Sequence, residues 1–159
     1  MTAHGSPLFP GPPSPDVVIG KMPAWLGLTA AAAAALAKVI AQGAKDVAEK
    51  TAKLNAAQAA APTAGPAGAA AVAKATKDLA AATAKAATDT ANMMMSSGVS
   101  IHACPVIKVL VPDGIGVVIK PSQTVLINKW GACRIGDPIQ EVTSLNSIME
   151  GQMDVYIGD

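Results

Sequence analysis

Asp16-Val17-Val18-Ile19-Gly20-Lys21, Thr124-Val125-Leu126-Ile127-Asn128-Lys129 and Asp154-Val155-Tyr156-Ile157-Gly158-Asp159 are three versions of one phrase. Each is a β-branched or apolar run closing on Gly or Asn, residues that tolerate the positive φ of a hairpin turn. A unit this small cannot bury a core alone, so its copies must share one. The continuation is partly shared. Met22-Pro23-Ala24-Trp25 follows the first copy, and Trp130-Gly131-Ala132-Cys133-Arg134-Ile135-Gly136-Asp137 follows the second.

The composition around these phrases suits short strands. Fourteen Gly and twelve Pro concentrate in the two flanks, which predicts a turn-dense β structure. Aromatics make up only 3%, so the core must be thin and built from Val, Ile, Leu and Ala. A net charge of +1 over 159 residues argues against a nucleic-acid binder, which carries a basic face. Pro7, Pro10, Pro12, Pro13 and Pro15 hold the opening extended as a rigid loop leading into the first copy. Val106 to Val111, Val117 to Ile119, Val125 to Ile127, Ile135 and Val155 to Ile157 supply the further strands, and Pro112-Asp113-Gly114 a turn.

Between Trp25 and Val99 the character changes. Residues 29–61 and 67–95 are dominated by Ala, the best helix former, with scattered Lys, Asp, Glu and Thr. Pro62-Thr63-Ala64-Gly65-Pro66-Ala67-Gly68 separates them with breakers and turn formers. Ile40, Val47 and Leu54 are spaced by seven, as are Val72, Leu79, Ala86 and Met93, which is a coiled-coil seam. Ala37, Ala44, Ala75 and Ala82 beside it allow a close approach of the two axes. Asp46 to Lys50 and Glu49 to Lys53 are favourable i,i+4 pairs. The expectation is an antiparallel helical hairpin, its last turn Met93-Met94-Met95 packing onto the β body.

The phrases resemble the proline-alanine-alanine-arginine (PAAR) repeat family, tip proteins of type VI secretion spikes and related contractile injection machines. Thr2-Ala3-His4-Gly5-Ser6-Pro7 resembles the family's His-Gly loop, His102-Ala103-Cys104-Pro105 its His-x-Cys-Pro loop, and Gly131-Ala132-Cys133-Arg134-Ile135-Gly136-Asp137 its Ala-Ala-Arg-x-Gly-Asp return strand. The resemblance covers residues 1–25 and 99–159. The fold it implies is α+β: a small β-rich conical body of three strand-and-hairpin repeats, with the Ala-rich helical hairpin inserted. Residues 1–26 would hold the first repeat, 27–98 the insert, and 99–159 the second and third repeats.

His4, His102 and Cys104 are the ligand-type cluster of the sequence. His102 and Cys104, one residue apart on an extended segment, point to the same side. Imidazole and thiolate are the usual structural zinc ligands, and a closed site takes four. In the family a metal near the apex staples a tip too narrow to hold a core. Carried over, that implies zinc on His4, His102 and Cys104. The fourth ligand departs from the pattern. Asp113 stands where relatives often have His, but Asp before Gly is also the commonest turn pair. Cys133 is the second candidate, at a position where the family has Ala and where packing is the simpler role. Asp137-Pro138-Ile139-Gln140 offers no ligand where some relatives have Cys. Without a metal, the same residues would be two surface histidines and two buried thiols; a Cys104–Cys133 bridge is a further option.

No catalytic constellation emerges, so no enzyme is expected. No signal-peptide pattern opens the chain, and the best apolar stretch, Met22 to Ala37, is shorter than the roughly 20 residues a bilayer requires. A cytoplasmic protein, without a stable membrane span and without nucleic acid, is expected. The third phrase closes at Asp159, which leaves no expected toxin segment. The resemblance implies a cap, one copy per trimer, on the trimeric valine-glycine repeat (VgrG) spike, which pierces the target envelope when the machine fires. The helical hairpin would then carry a cargo effector. Two other classes remain: an effector adaptor or chaperone acting through the hairpin, and a small metal-dependent hydrolase.

Overall fold

The structure is a computed structural model that describes residues 2–3, 14, 16–108 and 111–158, without the side chains of 105–108 and 111–113. The proline-rich loop over 4–13 lies outside the described residues. Among the described residues, nine strands form three small antiparallel sheets, with one long helical element, an α+β arrangement. In chain order they are β1 (Val18–Ile19), β2 (Met22–Pro23), β3 (Leu26–Gly27), α1 (Ala30–Met95), β4 (Ile101–Lys108), β5 (Val111–Val118), β6 (Leu126–Ile127), β7 (Trp130–Ala132), β8 (Pro138–Glu141) and β9 (Leu145–Ser147). The sheets are β1-β2, β3-β7-β6 and β4-β5-β8-β9. Two compact units result: residues 1–36 with 91–159, and residues 37–90.

Residues 37–90 belong to α1. Thr29 caps its start, the hydroxyl accepting from Ala32 N at 3.2 Å. The helix is interrupted at Gly65, at φ 56° and ψ −137°. Pro62 and Pro66 keep helical backbone, so the break is one residue wide rather than the whole of 62–68. Pro66 opens the second arm, where its missing N–H costs nothing. A Cβ on Gly68 would stand 2.7 Å from Ala61, and one on Gly43 2.8 Å from the Ala86 methyl. Both pairs are centred on the reversal, so the arms run antiparallel in one register. That register sets Leu54 against Ala75 and Val47 against Ala82, large against small. Ala37 and Ala44, expected beside the seam, are exposed; Gly43 occupies the contact. Lys53 and Lys85 are held above the usual lysine range first by Glu49 and Asp89 four residues away, then by Asp78 and Asp46 on the opposite arm. Nothing lies within 4 Å of a Cβ built on Gly65. Gly65→Ala therefore isolates backbone strain and is expected to cost about 1–3 kcal/mol, read as a lower helical melting midpoint by circular dichroism. An unchanged midpoint would refute a constrained reversal.

Two copies of the repeated phrase make equivalent hairpins. β1 and β2 are joined by Gly20-Lys21 at φ 58° and 66°, and β6 and β7 by Asn128-Lys129 at φ 53° and 72°. Positive φ at both turn residues is the I′ geometry that matches strand twist. Both copies begin alike: buried Ser14 and Ser122 accept, through Oγ, from Val17 N and Val125 N at 3.0 Å. The third copy differs from expectation. Residues 155–157 are in no strand, and neither is Ile135, which sits in a turn.

The three copies close a ring. Asn128 Nδ2, in the turn of the second, donates to Asp16 Oδ1 at 2.8 Å and lies 3.4 Å from Ser14 Oγ at the start of the first. Gly158, the matching turn residue of the third, accepts at its carbonyl from Ser122 Oγ of the second at 2.8 Å. Gly20, the turn of the first, lies so close to Gln152 beside the third that a Cβ would fall 2.0 Å from its Oε1. Each turn leans on the start of another copy, in cyclic order. The equivalent Ile19, Ile127 and Ile157 gather in one cluster with Ala24, Leu26 and Ala132. Here is the shared core that the repetition demanded.

A second core lies between sheets, where Val118, Ile139 and Ile148 meet Trp25 and Cys133. Met94, at the end of α1, is fully buried while Met95 is exposed. Both ends of α1 are tied into the β unit. Leu28 N donates to Val118 O at 2.8 Å, and Leu26 and Ser100 bond reciprocally, Leu26 N to Ser100 Oγ at 3.0 Å and Ser100 N to Leu26 O at 3.1 Å.

Candidate metal centre

The four-stranded sheet builds a buried polar site around one flat position. Gly116 on β5 pairs with His102 of β4 on one side and Glu141 of β8 on the other. A Cβ there would lie 2.8 Å from Ile139 Cγ2 and 3.0 Å from Glu141 Cγ. With that space open, the side chains of two non-adjacent strands meet over it. His102 Nε2 stands 3.1 Å from Glu141 Oε1, and both side chains are completely buried. Cys104, two residues along β4 and on the same face, is buried opposite Gly114. One ligand atom from each of His102, Cys104 and Glu141 lies within 4.8 Å of the others.

Glu141 is well held. Asn146 Nδ2 donates to Oε1 at 2.7 Å and Ser144 Oγ to Oε2 at 2.7 Å. Those bonds offset part of the several kcal/mol that desolvating a carboxylate costs. The imidazole is less complete: His102 Nδ1 is buried with no hydrogen-bond partner among the described residues. An imidazole, a thiol and a carboxyl group within 4.8 Å of one another, all buried, are a donor set a divalent cation suits. The residues fit a metal, and His102, Cys104 and Glu141 would hold it.

Of the residues expected at this site, the structure brings together His102 and Cys104. His4 lies outside the described residues, as does the side chain of Asp113. The backbone of Pro112, Asp113 and Gly114 runs inside β5 rather than forming a turn, and the bulge on β4 between Cys104 and Ile107 lies opposite it. Cys133 is elsewhere, packed on Val118, Ile139 and Ile148. Burial pushes its thiol far up, the Asp137 charge adds to this, and Arg134 offsets a little. That favours the packing role over ligation, since only the thiolate binds metal. Cys104 and Cys133 are not joined in a disulfide. His102 is not the surface histidine of the metal-free alternative.

Glu141 was missed. It stands one residue beyond Asp137-Pro138-Ile139-Gln140, the segment in which the family pattern places a ligand. Its signal was the small-residue pattern Gly114-Ile115-Gly116, which leaves room opposite His102 and Cys104.

The Arg-x-Gly-Asp segment is a clasped turn. Arg134 N and Nη2 donate to Asp137 at 2.8 and 3.0 Å, with Gly136 at φ 89°. Comparison with family models, curated proteins and solved structures returns no match. No helix among the described residues is long and apolar enough to cross a membrane.

Proposed function

We propose that this protein is a PAAR-type spike tip that caps a trimeric VgrG-type spike, one copy per trimer. The observation that carries the reading is the cyclic contact of the three phrases. A true threefold end offers three identical seats, and a single chain can fill them only with three similar patches. Val18, Leu126 and Tyr156 hold the same position in the three copies and are 62%, 58% and 92% exposed. Each is the outward neighbour of an isoleucine in the shared cluster, so the ring repeats one apolar contact three times. The cap also covers short strand edges that would otherwise pair with other chains.

A zinc ion on His102, Cys104 and Glu141 acts as a structural staple in this reading, joining β4 to β8 across β5. We expect one equivalent of zinc per chain by elemental analysis, and its loss in Cys104→Ala. Full retention in that variant would remove the thiol from the site. The helical hairpin positions cargo, a role supported by its being a separate compact unit.

The test is to mix the protein with the trimeric spike protein of the same organism and weigh the complex by light scattering. One copy per trimer is expected, both for the intact chain and for one lacking residues 37–90. Val18→Asp, Leu126→Asp and Tyr156→Asp are each expected to weaken it at least about tenfold, the scale of a buried apolar anchor. No complex with the intact chain would overturn the proposal.

A further inference from the structure

We infer that Asn146 and Ser144 are positioning residues of the metal centre, through which the β8–β9 hairpin aims the Glu141 carboxylate at His102 before any ion is bound. This role presupposes the zinc staple proposed above. The hairpin is local and tight. Val142 and Thr143 make its turn, which Glu141 N closes by donating to Ser144 O at 2.9 Å. Gln140 Nε2 fastens the same turn, donating to Glu141 O at 2.8 Å and to Ser144 O at 3.2 Å. Ile139 pairs with Asn146 and Gln140 with Leu145, and the ladder continues to Ser144 opposite Glu141. Ser144 is therefore the direct cross-strand neighbour of Glu141, and Asn146 its diagonal neighbour on the same face.

Each carboxylate oxygen has its own donor from that strand, Asn146 Nδ2 on Oε1 and Ser144 Oγ on Oε2, both at 2.7 Å. Asn146 is fixed in turn. Its Oδ1 accepts from Ser147 N at 2.8 Å, so the amide is locked with Nδ2 towards Glu141. Held this way, Oε1 stands 3.1 Å from His102 Nε2. Two ligands of one tetrahedral zinc stand about 3.4 Å apart at the usual bond lengths. The pair already has nearly that spacing, and the cost of ordering the carboxylate falls on the hairpin rather than on binding.

Packing alone does not ask for this arrangement. Ile139, the preceding residue on that face of β8, is buried and apolar. Apolar side chains of similar volume commonly stabilise as well as a buried charged network does. A carboxylate with two dedicated donors, aimed at an imidazole and near a thiol, is what a metal ligand needs from the residues behind it.

The test uses Asn146→Ala, Ser144→Ala and Ser144→Thr in the full-length chain. Zinc affinity is read by competition with a chromogenic chelator, and the ligand set by absorption with cobalt(II) in place of zinc. Both alanine variants are expected to bind zinc at least about tenfold more weakly, and Ser144→Thr, which keeps the hydroxyl, to stay within about twofold of the parent. The thiolate-to-cobalt band should persist in all three, because Cys104 is untouched. A merely structural role would instead lower the urea midpoint equally with and without zinc and leave the affinity unchanged. Ser144 is only half-buried, so Ser144→Ala gives a folded protein to measure even if Asn146→Ala does not. A parent that binds zinc, with the alanine variants binding as tightly, overturns the positioning role and leaves the staple standing. A parent that binds no zinc overturns the staple and the positioning role with it.

Discussion

Glu141→Ala is expected to destabilise the protein by about 3–5 kcal/mol, the usual cost of removing one partner from a buried pair. The carboxylate anchors three groups at once. Without it His102 Nε2, Asn146 Nδ2 and Ser144 Oγ all lose an acceptor, and His102 is fully buried with Nδ1 already orphaned. An unsatisfied buried donor costs about 1–3 kcal/mol, so two or three of them reach the same range. Glu141→Gln keeps one oxygen for Asn146 or Ser144 and should lose roughly half as much. Urea unfolding followed by circular dichroism measures both. Repeating it with added zinc separates the roles of the site: the parent midpoint should rise by mass action, and that of Glu141→Ala should move much less. A loss below about 1 kcal/mol for Glu141→Ala would mean that β8 does not depend on this network.

Gly131→Val should be as severe. Gly27 and Gly131 are paired on β3 and β7, and Pro121 lies flat on both. A Cβ at 131 would sit 2.5 Å from Pro121 Cγ and 2.5 Å from Ser122 O. The proline is fully buried, and Ser122 is pinned because its N donates to Ala132 O at 3.0 Å. Neither neighbour can yield without breaking the sheet that joins the first and second copies. Overpacking typically costs about 1–3 kcal/mol, and with backbone as the obstacle the upper end or beyond is expected. Loss of soluble folded protein, or a midpoint shift of that size, is the predicted outcome. Gly136→Val gives the contrast: nothing lies within 4 Å of a Cβ there, so only its positive φ penalises the change. Near-equal effects of the two would argue against the close approach of Pro121.

What could be read in advance follows the range of the interactions. The hairpins were legible because Gly20-Lys21 and Asn128-Lys129 write their turn chemistry into adjacent residues. Likewise the helical arms follow from alanine content and a seven-residue spacing. The seam was less so: which small residue lies at the crossing depends on the width of the break, and a one-residue reversal at Gly65 selects Gly43 over Ala44. The site was half legible. His102 and Cys104 share a strand face, a local fact. Glu141 joins them only through two successive pairings, β4 to β5 and β5 to β8; Gly114-Ile115-Gly116 marks the room on β5 but not which distant residue fills it. Residues 155–157 have strand-forming side chains but no partner among the described residues, and propensity alone does not make a ladder.

The reciprocal bonds between Leu26 and Ser100 bear on how fast this protein can assemble. Joining β3 to the strands beyond the insert means closing a loop of roughly 70 residues, and closure entropy grows as (3/2)RT times the logarithm of loop length. A helical hairpin forms from local contacts and brings its own ends together. Once it exists, the effective loop shrinks to a handful of residues, and the entropic penalty falls by about 2 kcal/mol. Lengthening each arm by whole turns should therefore leave the refolding rate nearly unchanged, whereas a flexible insert of the same length should slow it.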